Sequence, residues 1–290
     1  MRSGETMRDR RDRSTLHPSS SMAELDQLLG RTLVMVAHPD DECIACGALL
    51  QRIREPDVVF ATDGAPRDRY FWKSYGSRET YAALREQEAR RALAHVGVHQ
   101  MEFLADAPEL RGVLVDQELF RDLPEAFGRF SAVIERVRPD ALLTLAYEGG
   151  HPDHDACSFL TSLLARDYDL PAWEAPLYHR VELAGKEHRH LGTQTFIGTS
   201  GGEIDLRLTP GELRRKRAMT AEYKTQGDFL QVFDIAREVF RPQIEYDYSK
   251  PPHEGRLNYE AWQWPMTGAD VCASFADFLR AHGLRRRRHA

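Results

Sequence analysis

Cysteine is scarce. The four in the chain, at positions 43, 46, 157 and 272, are too few and too unevenly placed for the disulfide framework of a small secreted module. Long apolar runs are missing as well. None approaches the roughly 20 residues that span a bilayer, so no membrane anchor is expected. Positive charge is not in excess: the net charge of −6 gives no electrostatic ground for nucleic acid or an anionic membrane as the main partner. No internal repeat is found, which excludes a solenoid. Arg10-Arg11 is followed by DRSTLHPSSS, which lacks the apolar segment of a twin-arginine export signal. Cytoplasmic residence is the expectation.

What is present is a globular composition, 42% hydrophobic and 29% charged, able to bury a sizeable core. Residues 1–21 are rich in Arg, Asp and Ser and read as an unstructured tail, with Met22 a candidate start. Residues 22–284 read as one domain, and residues 285–290 as a solvated basic tail. Short apolar runs alternate with segments of helical period. This predicts an α/β fold, a Rossmann-like open and mostly parallel sheet with helices on both faces. Strands are expected at 32–37, 58–62, 101–104, 141–147 and 177–181, and helices at 43–54, 77–95, 117–137, 153–165 and 210–226. Residues 185–209 read as a loop and a β-hairpin, and the final Tyr-, Trp- and Pro-rich stretch as an irregular C-terminal cover.

Three polar clusters each follow a strand: HPDDE after the first, TDGAPR after the second, EGGHPDHD after the fourth. Ligands of open α/β sheets bind at the strands' carboxyl ends, so these clusters should meet in space. HPDDE offers an imidazole and carboxylates in one turn, and His151-Pro-Asp-His154 offers two more imidazoles. Zinc accepts such a mixture, and a catalytic site uses three protein ligands and leaves one position open. On residue chemistry alone, one acid of the Asp40-Asp41 pair binds metal and the other serves as base. One histidine of the second pair binds, and the other faces an oxyanion. Capping of the following helix is the plainer reading of a single HPDD turn, but two such loops at equivalent strand ends favour a metal.

Other signals are weaker. Cys43-x-x-Cys46 has no second C-x-x-C to complete a zinc site and reads as core packing. Ser200 lies in a formal G-x-S-x-G, yet the following EIDLRLT alternates like a strand where a nucleophile elbow needs a helix. His188 and His190 read as part of a charged surface loop. The aromatic stretches 69–75 and 259–264 suit sugar rings or acyl groups at a cleft rim, or simply pack loops onto the domain.

AHPDDE at 37–42 together with GGHPDHD at 149–155 resembles the PIG-L/LmbE family of zinc-dependent N-deacetylases, over about residues 30–230. TDG at 62–64, Arg85-x-x-Glu88 followed by HVGV at 95–98, and residues 216–226 support the likeness. The resemblance implies His38, Asp41 and His154 as ligands of one zinc ion, with another divalent metal as the alternative. It implies Asp40 as general base and His151 as oxyanion stabiliser or proton donor to the leaving group. It further implies that Asp153 orients His151 and that Arg85 reaches toward the substrate. The activity implied is hydrolysis of an N-acyl, first of all N-acetyl, amide on an amino sugar or related small molecule, with no nucleic-acid or membrane partner and a homo-oligomer left open. Cys43 and Cys46 stand where relatives carry glycines, and Lys224-Thr225-Gln226 replaces their usual Ser-Gln, so substrate choice stays open. An amidase acting on a thiol conjugate or larger natural product is the alternative within the class. A non-catalytic metal-binding protein is the alternative outside it, disfavoured because ligation requires neither Asp40 nor His151.

Overall fold

The computed structural model describes residues 25–106, 112–181, 190–198 and 202–289. The expectations for the tail of residues 1–21, for Met22, for His188 and for Ser200 lie outside them.

Alternation along the central strand sets up two layers. In β1 (Arg31–Val36), Leu33 and Met35 point to one face while Val34 and Val36 point to the other. Its neighbour β2 (Glu55–Phe60) does the same with Val59 against Val58 and Phe60. All are buried, as expected of a parallel sheet covered on both faces. Helices α1 (Asp41–Cys46) and α2 (Arg78–His95) supply Cys43, Ile44, Ala89 and Leu93 to the first apolar layer. Helices α3 (Leu123–Val137) and α4 (Pro152–Tyr168) supply Phe130, Val133, Phe159 and Leu160 to the second.

The remaining strands are β3 (Gln100–Phe103), β4 (Ala141–Leu145), β5 (Ala172–Ala175), β6 (Tyr178–Val181), β7 (His190–Thr193), β8 (Ile204–Asp205) and β9 (Val239–Pro242). Seven form one sheet in the order β3-β2-β1-β4-β5-β9-β8. The first five are parallel, with Val34 opposite Val58 on one side and Leu143 on the other. β9 and β8 join antiparallel at the far edge. Chain order runs outward from β1 through β2 and β3, then returns to β4 on the opposite side. The reversal leaves a crevice beyond the carboxyl ends of β1 and β4, where doubly wound folds bind ligands.

Several expectations are corrected. Residues 178–181 do form a strand, but β6 pairs with β7 in a separate two-stranded sheet. The expected hairpin within 185–209 is therefore divided, because β8 pairs with β9 instead. β5, β8 and β9 are too short to announce themselves by alternation. The helix expected at 117–137 begins at Leu123, where Pro124 occupies its first turn. The helix expected at 43–54 is α1 followed by a 3-10 turn at Leu49–Gln51. A helix α5 (Pro210–Thr220) ends before the expected limit of 226, with a separate 3-10 turn at Lys224–Gln226. The expected irregular cover holds a long helix, α6 (Gly268–His289), whose backbone includes the expected basic tail. Val271, Phe275 and Phe278, spaced four and three apart, pack it on the second layer. No helix among the described residues is long and apolar enough to cross a membrane.

Candidate metal centre

The turn after β1 is folded onto its own carboxylate. Asp41 Oδ2 accepts the backbone N–H of Ala37 (3.1 Å) and of His38 (2.8 Å), which fixes the acid at the mouth of the crevice. The same oxygen lies 3.4 Å from His38 Nδ1, and Asp41 Oδ1 lies 3.1 Å from His154 Nε2. Ligand atoms held about 2.0–2.1 Å from a tetrahedral ion stand roughly 3.3 Å apart, so Asp41 stands at co-ligand spacing from each imidazole, through one carboxylate oxygen to His38 and the other to His154. His154 carries a second sign. It is 1% exposed, yet neither of its ring nitrogens has a hydrogen-bond partner among the described residues, so its contact with Asp41 is close but out of hydrogen-bond alignment. Two co-ligands of a cation have that relationship. His38, His151 and His154 also form a cluster whose ligand atoms lie within 4.8 Å of one another.

The other nitrogen of His38, Nε2, lies 3.1 Å from Asp153 Oδ2 and 3.2 Å from Asp116 Oδ1. A carboxylate behind the free nitrogen of a ligating imidazole fixes its tautomer and raises its basicity. Burial alone would push His38 down, but Asp116 and Asp41 outweigh it and hold the imidazole well above its ordinary range. Burial opposes ionisation of Asp41 too, and the His154 and His38 imidazoles overcome it, holding the carboxyl well below the usual range.

Asp40 adopts φ 132 and ψ −25, a backbone conformation that an L-residue keeps only when its surroundings enforce it. Arg85 is the enforcer. Its guanidinium, 4% exposed, donates to Asp40 Oδ1 (2.9 Å), Pro39 O (2.7 Å) and Gly64 O (2.5 Å), with Asp116 Oδ2 at 3.5 Å. Arg85 was expected to reach toward substrate; the contacts it makes here are with the Asp40 turn and Asp116. Gly64 of TDG explains itself here: at φ +62, a Cβ would stand 2.9 Å from Pro39 Cδ and 3.0 Å from Arg85 Nη1. Burial pushes the Asp40 carboxyl up to about 7, with Arg85 pulling the other way. Glu42, also buried, accepts the Asp40 N–H at 3.2 Å and bonds Tyr223 Oη. Glu88 of the Arg85-x-x-Glu88 pattern accepts the N–H (3.1 Å) and hydroxyl (2.5 Å) of Thr225. Threonine at 225 thus offers the hydroxyl that serine would, and this departure from the family pattern preserves the bond.

His151 caps α4, its Nδ1 accepting the Asp153 N–H at 3.1 Å. Its Nε2 lies 3.3 Å from Asp116 Oδ1. Burial, then the charge of His38, pushes it down to about 4. The imidazole is therefore neutral at pH 7 and carries its proton on Nε2. Asp153, expected to orient His151, meets it through its backbone N–H. Its carboxylate accepts the N–H groups of Gln117 (2.7 Å) and Leu119 (3.0 Å) and backs His38. Asp116, touching His38, His151 and Arg85, is the residue that sequence reading missed. It stands alone in the stretch LVDQEL with no motif around it, delivered by a turn with positive φ at Leu114 and Gln117. Cys43 and Cys46 are free and buried in the core, in line with the packing reading.

The chain matches the family profile described as PIG-L, GlcNAc-PI de-N-acetylase, over residues 33–165. It is 31% identical to the 1D-myo-inositol 2-acetamido-2-deoxy-alpha-D-glucopyranoside deacetylase of Corynebacterium urealyticum, with 86% of this chain and 90% of that protein covered. The chain belongs to the PIG-L family. It is 26% identical to the "Probable N-acetyl-alpha-D-glucosaminyl L-malate deacetylase 2" of Bacillus cereus, with 61% and 79% covered. Among solved structures, a triple mutant of a deacetylase of the teicoplanin biosynthetic pathway superposes with a TM-score of 0.56 at 17% identity, covering 75% of this chain and 99% of that one. The A40926 pseudoaglycone deacetylase gives 0.53 at 18% identity, covering 73% and 96%. These two bear on the fold, which is that of this PIG-L protein. As a PIG-L member the protein is a hydrolase of amide C–N bonds, a deacetylase.

Proposed function

We propose that the protein removes the acetyl group from an N-acetylated amino sugar conjugate, using one zinc ion held by His38, Asp41 and His154, in a cytoplasmic single-domain enzyme spanning residues 22–284. The observation that carries this is the meeting of those three buried side chains beside an acid, Asp40, that ligation leaves free. The PIG-L relatives named for N-acetylglucosamine-type substrates supply the substrate class. When bound, zinc supplies a Lewis acid that makes water more acidic and polarises the scissile carbonyl.

The chain's own residues supply the rest. Asp40, at about 7, accepts a proton from the attacking water near neutral pH and returns it to the departing amine. Arg85 binds Oδ1 and leaves Oδ2 for that exchange. Neutral His151 donates its Nε2 proton to the carbonyl oxygen as negative charge develops there, a role that a fixed donor in a dry site performs well. The Asp153 N–H donated to Nδ1 keeps the proton on Nε2, and Asp116 helps hold Arg85 and His38. The products are acetate and a free amine.

The test is amine release from N-acetylglucosamine conjugates by chelated and zinc-reconstituted protein. Zinc-dependent release supports the reading. Equal release without metal, or release only from a thiol conjugate, overturns the metal or the substrate assignment respectively.

A further inference from the structure

Beside the imidazoles stands a row of partly exposed rings drawn from three separate segments: Phe71, Trp264, Trp262 and Phe229. Neighbouring centroids are 6.4 Å apart for Phe71 and Trp264, 5.1 Å for Trp264 and Trp262, and 6.5 Å for Trp262 and Phe229. Two contacts tie the row to the site. The Trp264 ring lies 4.9 Å from His151, and Tyr178, packed on Phe229 and Trp262, lies 5.4 Å from His154. Tyr70 extends the row outward on Phe71 at 5.5 Å and is 69% exposed.

Phe229 and Trp262 pack on the first apolar layer and Trp264 on the second, yet all keep surface in water next to the candidate metal centre. At such spacings an acetyl group covers about one ring and a pyranose about two, so the row is longer than an N-acetylated sugar alone requires.

Resting on the deacetylase reading above, we propose that this row is the subsite for the group attached to the amino sugar. That group presents an apolar ring face, as an aryl glycoside does. Trp264 is the specificity-determining residue, since it alone in the row touches His151.

The experiment compares zinc-loaded wild type, Trp264→Ala and Trp264→Phe on free N-acetylglucosamine, its phenyl glycoside and a carboxylated glycoside of similar size. Wild type should prefer the phenyl glycoside over the free sugar by about tenfold in kcat/KM, about 1.4 kcal/mol, and the carboxylated one should show no such gain. Trp264→Ala should bring the phenyl preference close to one, while Trp264→Phe keeps most of it. A preference unchanged in Trp264→Ala, with all rates falling together, means that the ring is structural and overturns the proposal. Calorimetric titration with phenyl glucosaminide separates the two readings: if no substrate is turned over yet this ligand binds wild type and not Trp264→Ala, only the deacetylase reading fails. If it binds neither, or both equally, the subsite fails.

Discussion

Arg85 Nη2 lies 2.9 Å from Asp40 Oδ1, and the bond joins the helix of the Arg85-x-x-Glu88 pattern to the strained turn of AHPDDE. A guanidinium so engaged positions a base and has little left for substrate. Arg85→Gln should lower kcat by about 10²-fold with KM nearly unchanged, the loss typical of a misplaced catalytic group. Steady-state kinetics decide: a raised KM at unaltered kcat would assign Arg85 to substrate binding.

Asp40→Asn removes a proton acceptor and spares all three proposed ligands. Turnover should drop about 10²–10⁴-fold, the usual contribution of a general base, while metal content stays near one ion per chain. Asp41→Ala and His154→Ala should lose the ion. Elemental analysis beside the activity assay separates the two classes, and a fully active Asp40→Asn protein would remove Asp40 from its role.

Metal uptake should be steeply pH-dependent. The carboxylates around His38 raise its pKa well above the ordinary value, so at pH 7 the metal-free imidazole is protonated and an entering ion must displace that proton. Affinity therefore rises with pH until His38 is already neutral, and falls as pH drops. Calorimetry in buffers of different ionisation enthalpy at pH 7 should show about one proton released per ion bound. No release would contradict this charge state.

The buried pair Lys216 and Glu238, 2.6 Å apart, anchors the segment that follows α1 to α5, because Glu238 also accepts the N–H groups of Ala48 (2.6 Å) and Leu49 (3.0 Å). Lys216→Ala strands a buried carboxylate and should cost about 3–5 kcal/mol. Lys216→Met with Glu238→Gln should cost less than the single change, since the amide oxygen still accepts from the backbone. Urea denaturation measures both, and equal losses would argue against a stranded charge.

Much of this was legible because the parallel strands before the two motifs are continuous apolar runs and the motifs carry the candidate ligands in their own residue types. Alternation in β1 and β2, the Ser77 cap of α2 and the His-Asp spacing all carry short-range signals. What stayed hidden depends on distant partners. β8 lies in EIDLRLT, which alternates like a strand, but its pairing with β9, and that of β9 with β5, is marked by no local pattern. Asp116 acts only because a turn with two left-handed residues folds it over His38 and His151. The contacts of Arg85 with the carbonyls of Pro39 and Gly64 are backbone contacts, which side-chain motifs do not display. α6 had the right period, masked by the aromatic and proline content of the stretch before it.

The central claim is that one divalent ion is shared by His38, Asp41 and His154. Anomalous diffraction at the zinc edge from zinc-soaked crystals tests it directly. The account predicts a single strong peak about 2.0–2.2 Å from a nitrogen of each imidazole and from an Asp41 oxygen. A peak centred instead among Asp116, His151 and Asp153, with His154 unligated, would contradict it.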